Sequence, residues 1–230
     1  MPSIAFLPAT VNLAEPPEFC GLRDLPKSYR YIGPLLARLP GELPREVADL
    51  PRDRPVVYFA MGSCGSARIV AGILEGFAGR PYRVIAPVAS LIQGMNVRIP
   101  ENVVVTGFVP AHKANPLADI SVIHGGIGTV MTAAWSGTPV VGIGMQPEQE
   151  ANLECLVRKG MARRIRKRAA TAAAILDAVD ALIVDEGARS RAREFQTVLR
   201  SWDGPARGAE FLRDTFGGGK VEPPQAHGRG

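Results

Sequence analysis

Residues 122–144, VIHGGIGTVMTAAWSGTPVVGIG, decide how this chain folds. An apolar run ends at His124. Gly125, Gly126 and Gly128 follow almost at once, and Thr129 leads into a run with helical spacing that Gly137 stops. A second apolar run, TPVVGIG at 138–144, comes next. Strand, glycine turn, helix and strand in that order make the unit from which parallel sheets are built.

The same alternation extends in both directions. Upstream, PVVYFAM (55–61), YRVIAP (82–87), NVVVTGF (102–108) and ADISVIH (118–124) read as strands. They are continuously apolar, as strands covered on both faces are. ARIVAGILEGFAG (67–79) has helical spacing and a glycine stop. Downstream, PEQEANLECLVRKG (147–160) reads as a helix and MARRIRK (161–167) as a sixth strand. Helical stretches follow at 171–186, 188–202 and 205–216. The fold class expected is α/β, a doubly wound, Rossmann-like parallel sheet. Such sheets bind ligands beyond the carboxyl ends of their strands, where the glycine turn lies.

Residues 1–54 are rich in proline, which suits an extended linker over a packed helical core. SIAFLP (3–8) and YRYIG (29–33) could each add a short strand. Residues 55–216 form the sheet domain, and the tail from 217 to 230 has no apolar pattern and reads as disordered.

The 230 residues are 46% hydrophobic, enough for a sizeable core, and carry a formal charge of +5. That mild excess favours anionic ligands without implying nucleic acid. Cys20, Cys64 and Cys155 are odd in number and widely spaced, which argues against a disulfide framework or a zinc cluster. With no basic start to a secretory signal at 1–10 and no apolar run of membrane-spanning length, the cytoplasm is the expected compartment.

Glycines at a strand-to-helix turn let backbone N–H groups approach a ligand closely, and the helix end adds positive potential. Phosphate is the usual occupant of such a site. The bland alternative is a tight turn that only eases helix–strand packing. The spacing is neither G-x-G-x-x-G nor a Walker loop. His124, at the mouth of this turn, can donate to a phosphate oxygen. MGSCGS (61–66) repeats the small-residue pattern through Gly62, Ser63 and Gly65, with an ordinary tight loop as its alternative. RKGMARRIRKR (158–168) holds seven basic residues. A solvated strand edge is the plainer reading and docking to anionic lipid the sharper one. No aromatics interleave these charges, which disfavours single-stranded nucleic acid. His112 is expected to face solvent, Trp135 to lie in the core, and Cys64 to pack near the glycine turns.

GFVP at 107–110, HGGIGT at 124–129, GTP at 137–139 and PEQEAN at 147–152 occur in this order. Together they resemble the donor-binding, C-terminal half of GT-B glycosyltransferases. The group most similar is the UDP-glucuronosyl/UDP-glucosyl transferases with their bacterial macrolide and aglycone relatives. The resemblance runs from about residue 29 to about 216, and YRYIGPLL resembles that family's interdomain segment. It implies that Phe108 stacks on the base and that the Val109 backbone bonds the base edge. It implies that His124 touches the diphosphate and that Gly125, Gly126, Gly128 and Thr129 cradle it, with Gly62 and Ser63 opposite. Glu148 and Gln149 would hold sugar hydroxyls.

The chain departs from that pattern at Ala111, where Gln is usual, at Gly144, where proline is usual, and at Thr132, where plant members have a ribose-gripping Glu. Thr132 leaves room for a deoxyribose, hence TDP as well as UDP.

The implied function is donor binding in an inverting, metal-independent hexosyl transfer to a small-molecule or lipid hydroxyl. Neither cofactor nor metal is expected, since the nucleotide-sugar is a substrate. Acceptor pocket and base are expected on an N-terminal domain or partner subunit, so this chain alone should be inactive, and self-association through the face left open is plausible. A non-catalytic nucleotide-sugar-binding subunit is the alternative. An epimerase on a similar scaffold fits HGGIGT and PEQ less well.

Overall fold

The computed structural model describes residues 11–21, 24–61 and 66–216. The SIAFLP strand, Gly62, Ser63, Cys64 and the tail from 217 lie outside these residues.

Six parallel strands form the sheet: β3 (Val56–Ala60), β4 (Arg83–Ala86), β5 (Val103–Val105), β6 (Ile120–Ile123), β7 (Val140–Gly142) and β8 (Ala162–Arg164). Their order is β5-β4-β3-β6-β7-β8. Chain order therefore reverses between β3 and β6, which pair in register from Val57–Ile120 to Ala60–Ile123. A crevice opens at such a switch, because the connections on its two sides leave in opposite directions. All six strands were legible in the sequence.

Every residue of β3 is buried, and its side chains alternate between two cores. Val57 and Phe59 join Ile120, Val122 and Val141 under α3 (Ala67–Gly76) and α7 (Ala172–Ile183), where Ile73, Leu74, Ile175 and Val179 close the layer. Val56 and Tyr58 face the other side, over Val47, Leu50 and Val109. Further along that side, Ile123 and Val140 pack beneath α5 (Ile127–Trp135), α6 (Pro147–Arg158) and α8 (Glu186–Arg200) through Met131, Leu153, Leu156 and Leu199. Burying each such side chain contributes roughly 1.5–3 kcal/mol, and covering both faces explains why the strands read as unbroken apolar runs.

The proline-rich segment is less extended than its composition predicts. β1 (Val11–Leu13) pairs in parallel with β2 (Tyr29–Tyr31), and two one-turn helices form, α1 (Pro17–Cys20) and α2 (Arg45–Ala48). Proline is accepted at a helix start, where its missing N–H costs nothing. Pro17 opens α1 and Pro44 immediately precedes α2. Phe19, Ile32, Val47 and Leu50 are all buried. Phe19 stacks on Phe195 with centroids 6.2 Å apart. At the far end, α9 (Gly204–Phe216) lies over the β2 segment: the Arg30 guanidinium stands 4.3 Å above the Phe211 ring, and Trp202 fills the space beside Gly33.

His112 is half-buried, because the short helix α4 (Ala111–Ala114) that carries it packs on α5. Trp135 is half-buried too, at the end of α5, where its carbonyl accepts from Gln196 Nε2 at 2.8 Å. In the basic stretch, Arg164 pairs with Glu150 at 2.8 Å and Glu154 at 3.3 Å. Arg166, Lys167 and Arg168 line an open cleft beyond the end of β8. Among the described residues no helix is long and apolar enough to cross a membrane.

Candidate functional site

The expected site residues that the structure describes lie just past the carboxyl ends of three strands: Phe108 and Val109 after β5, His124 to Thr129 after β6, and Glu148 and Gln149 after β7. A fourth strand, β3, ends at Ala60, beside the close of β6. A large cleft, about 1010 Å³, lies elsewhere, among Arg54, Arg80, Arg83 and Asn102 at the amino ends of the strands. Its charges are largely paired, Arg80 with Asp180 and Arg83 with Asp53, and nothing in the strand-end chemistry reaches it.

The turn after β6 is held in place from α6. Gly125 has φ +86°, and a Cβ there would sit 2.7 Å from Leu153 Cγ and 2.8 Å from the Gln149 carbonyl oxygen. Only glycine fits that close approach. Asn152 Nδ2 donates to the Gly125 carbonyl at 3.1 Å and to Glu148 Oε1 at 2.6 Å. Gly125 and Glu148 are thus tied through one buried amide. Sequence reading passed over Asn152; its signal was the i, i+4 spacing from Glu148, which puts both on one helix face.

Helix α5 starts bare. Gly126 is its N-cap, with no side-chain oxygen to satisfy the first N–H groups. Gly128 is exposed, and beyond its own helix no atom of the described residues lies within 4 Å of where its Cβ would stand. Thr129 Oγ1 donates to the Gly126 carbonyl at 2.8 Å, and Thr132 Oγ1 to the Gly128 carbonyl at 2.7 Å. The first turn therefore presents N–H groups and the positive end of the helix to the open side.

His124 sits above this turn, its Nε2 close to Gly126. Burial depresses its pKa, against weaker raising pulls from the Ala60 carbonyl and the Glu148 carboxylate. The ring is then neutral near pH 7 and offers one N–H. This depression has a measurable sign. Between the ordinary histidine value near 6.5 and the lower folded value, the unfolded chain binds more protons than the folded one, so stability falls as pH falls. Thermal melts should show wild type losing stability from pH 7 to pH 5 that His124→Gln keeps. Equal losses in both proteins would show that the ring titrates normally.

Phe108 is 68% exposed, an unusual setting for an aromatic ring, and Val109 behind it is buried. Glu148 is exposed on the rim. Gln149 is buried, and its Oε1 accepts from Met145 N at 2.9 Å, which locks the turn before α6. The structure thus ties Gly125, Glu148 and Gln149 into one unit and sets His124 beside Gly126. Phe108 stands apart, in the loop that follows β5, the strand at the sheet's far edge.

Residues 83–209 match the family described as the erythromycin biosynthesis protein CIII-like, C-terminal domain. A PGL/p-HBAD biosynthesis rhamnosyltransferase of Mycobacterium bovis is 30% identical over 212 residues, covering 92% of this chain and 43% of the relative. The chain therefore spans less than half the length of that curated relative. Among solved structures, the calicheamicin glycosyltransferase CalG4 superposes with a TM-score of 0.73 at 25% identity, over 94% of this chain and 53% of the other. The spinosyn rhamnosyltransferase SpnG, complexed with thymidine diphosphate, superposes with a TM-score of 0.75 at 17% identity, over 89% and 56% of the two chains. With the six-stranded order, the bare start of α5 and this coverage together, the chain belongs to the erythromycin biosynthesis protein CIII-like C-terminal domains of the GT-B glycosyltransferases.

Proposed function

We propose that this domain holds the nucleoside diphosphate of a hexose donor, TDP or UDP, for an inverting, metal-independent transfer to a small-molecule or lipid hydroxyl. The observation that carries the reading is the uncapped, glycine-lined start of α5, with neutral His124 beside it. When the sugar leaves, charge builds on the diphosphate. Fixed N–H groups and a helix end stabilise that charge without reorganising. Phe108 offers an exposed face for a base, and Glu148 a rim carboxylate for sugar hydroxyls. Acceptor and general base come from an N-terminal domain or partner subunit, positioned across the crevice so that the hydroxyl attacks the anomeric carbon from the face opposite the diphosphate.

TDP is supported from two directions. The solved relative SpnG holds thymidine diphosphate. In this chain Thr132 is buried and donates its hydroxyl to the helix backbone, so no carboxylate at that position can grip a ribose hydroxyl. Losing a 2′-OH should then cost little. Titration calorimetry of the chain with TDP and UDP, with and without EDTA, tests the reading. TDP should bind within about tenfold of UDP, a gap of roughly 1.4 kcal/mol, and the chelator should change neither affinity. Binding that disappears with EDTA would overturn the metal-independent reading, and a hundredfold preference for UDP would overturn the TDP assignment.

A further inference from the structure

The sequence spaces its cysteines far apart, yet the fold brings two of them together. Cys20 ends α1 and Cys155 lies in the third turn of α6, and these two helices pack on each other. The packing sets the two thiols side by side, within hydrogen-bonding reach of each other. Both are free and half-buried. The two residues before Cys20 are anchored: Phe19 stacks on Phe195, and Lys159 Nζ donates to the Glu18 carbonyl. The surroundings make the pair unequal. The Cys20 S–H and the positive charges of Arg158 and Lys159 favour a thiolate at Cys155, and its pKa is lowered despite burial and Glu15. Cys20 is pushed up, chiefly because its proton is held by Cys155. Glu15, whose pKa is raised by burial, stands beside Cys20 as a competing acceptor, which the single Cys20 proton can serve only in place of Cys155.

We propose that Cys155 is a thiol modification site that reacts with low-molecular-weight disulfides, and that Cys20 is its resolving partner. The Cys155 thiolate attacks one sulfur of a disulfide RSSR. An S–S bond forms between Cys155 and one R–S group, and the other leaves as RS⁻. Cys20 then passes its proton to the Glu15 carboxylate and attacks the Cys155 sulfur, releasing the second RS⁻. The two protein thiols lose two electrons and two protons, and RSSR becomes two RSH. The product ties residues 11–21 covalently to α6, the helix that carries Glu148, Gln149 and Asn152. Such reactivity follows thiolate character and access, and it does not depend on the donor-binding reading.

The test uses the whole chain with excess oxidised glutathione, an acid quench, alkylation and tryptic mapping. Cys20, Cys64 and Cys155 fall on separate peptides, residues 1–23, 53–68 and 114–158. Wild type should yield the 1–23 peptide linked to the 114–158 peptide, and its melting temperature should rise by about 5 °C or more. Cys20→Ser should stop at a glutathione adduct on Cys155. Cys155→Ser should slow loss of the Cys20 thiol at least tenfold. Separate adducts on both cysteines of the wild-type chain, with no linked peptide, would overturn the pairing. A linked peptide that forms while Cys20 reacts as fast in Cys155→Ser would overturn the assignment of Cys155 as the attacking thiol.

Discussion

Gly125→Ala should lower the melting temperature by roughly 10 °C and abolish measurable TDP binding. Two costs add at this position. An L-residue at φ +86° carries about 1–3 kcal/mol of backbone strain. Overpacking against Leu153 and the Gln149 carbonyl adds about 1–3 kcal/mol more. Leu153 can shift a little, but the carbonyl belongs to the backbone of α6 and cannot move without the helix. Any relief therefore drags Glu148, Gln149 and Asn152 away from the turn after β6. Gly79→Ala is the comparison. Gly79 has φ +70° with nothing within 4 Å, so that substitution brings strain alone. Differential scanning calorimetry of both variants measures the difference. If Gly125→Ala costs no more than Gly79→Ala, the close approach is not what demands glycine.

Gly128→Asp separates binding from folding in the opposite way. The position is exposed, in the first turn of α5, and no described residue beyond that helix lies within 4 Å of where a side chain would start. Folding should be unaffected or slightly improved. A side chain removes glycine's excess unfolded-state freedom, and an acid at a helix start interacts favourably with the macrodipole by about 0.3–1 kcal/mol. A diphosphate would meet that same carboxylate at close range. TDP affinity should fall at least a hundredfold, roughly 2.7 kcal/mol. Gly128→Asn, with nearly the same volume and no charge, should lose clearly less. A Gly128→Asp protein that melts as wild type does and still binds TDP within threefold would remove the start of α5 from the site.

The strands were legible because β3, β4, β6 and β7 are covered on both faces, and such strands must be apolar throughout. Helices α3 and α5 to α9 declared themselves by spacing and by glycine stops. What escaped was structure that exists only through tertiary contact. VNL has no strand pattern of its own and is a strand because β2 pairs with it. PEFC makes one helical turn because Phe19 docks on Phe195. The site shows the same division. Its glycines and His124 could be read from a local motif, because a tight turn needs particular residues at adjacent positions. For Asn152 only half was local: its i, i+4 spacing from Glu148 could be read, but its bond to Gly125 depends on how α6 meets the turn. The nearness of Cys20 and Cys155 was invisible for the same reason.

The clasp of α9 and Trp202 over the β2 segment has a consequence for synthesis of the chain. Ile32 is buried, and Gly208 of α9 packs close to its side chain. Phe19 likewise needs Phe195. Their covers are each encoded 176 residues later. At a translation rate of about 5–20 residues per second, the early segment waits on the order of 10–30 s before the ribosome delivers what hides it. The sheet can assemble first, strand by strand, but the proline-rich segment cannot settle until the last helices emerge. Through that interval Ile32 lacks its α9 cover, and Phe19, with α6 already made, still lacks its Phe195 partner.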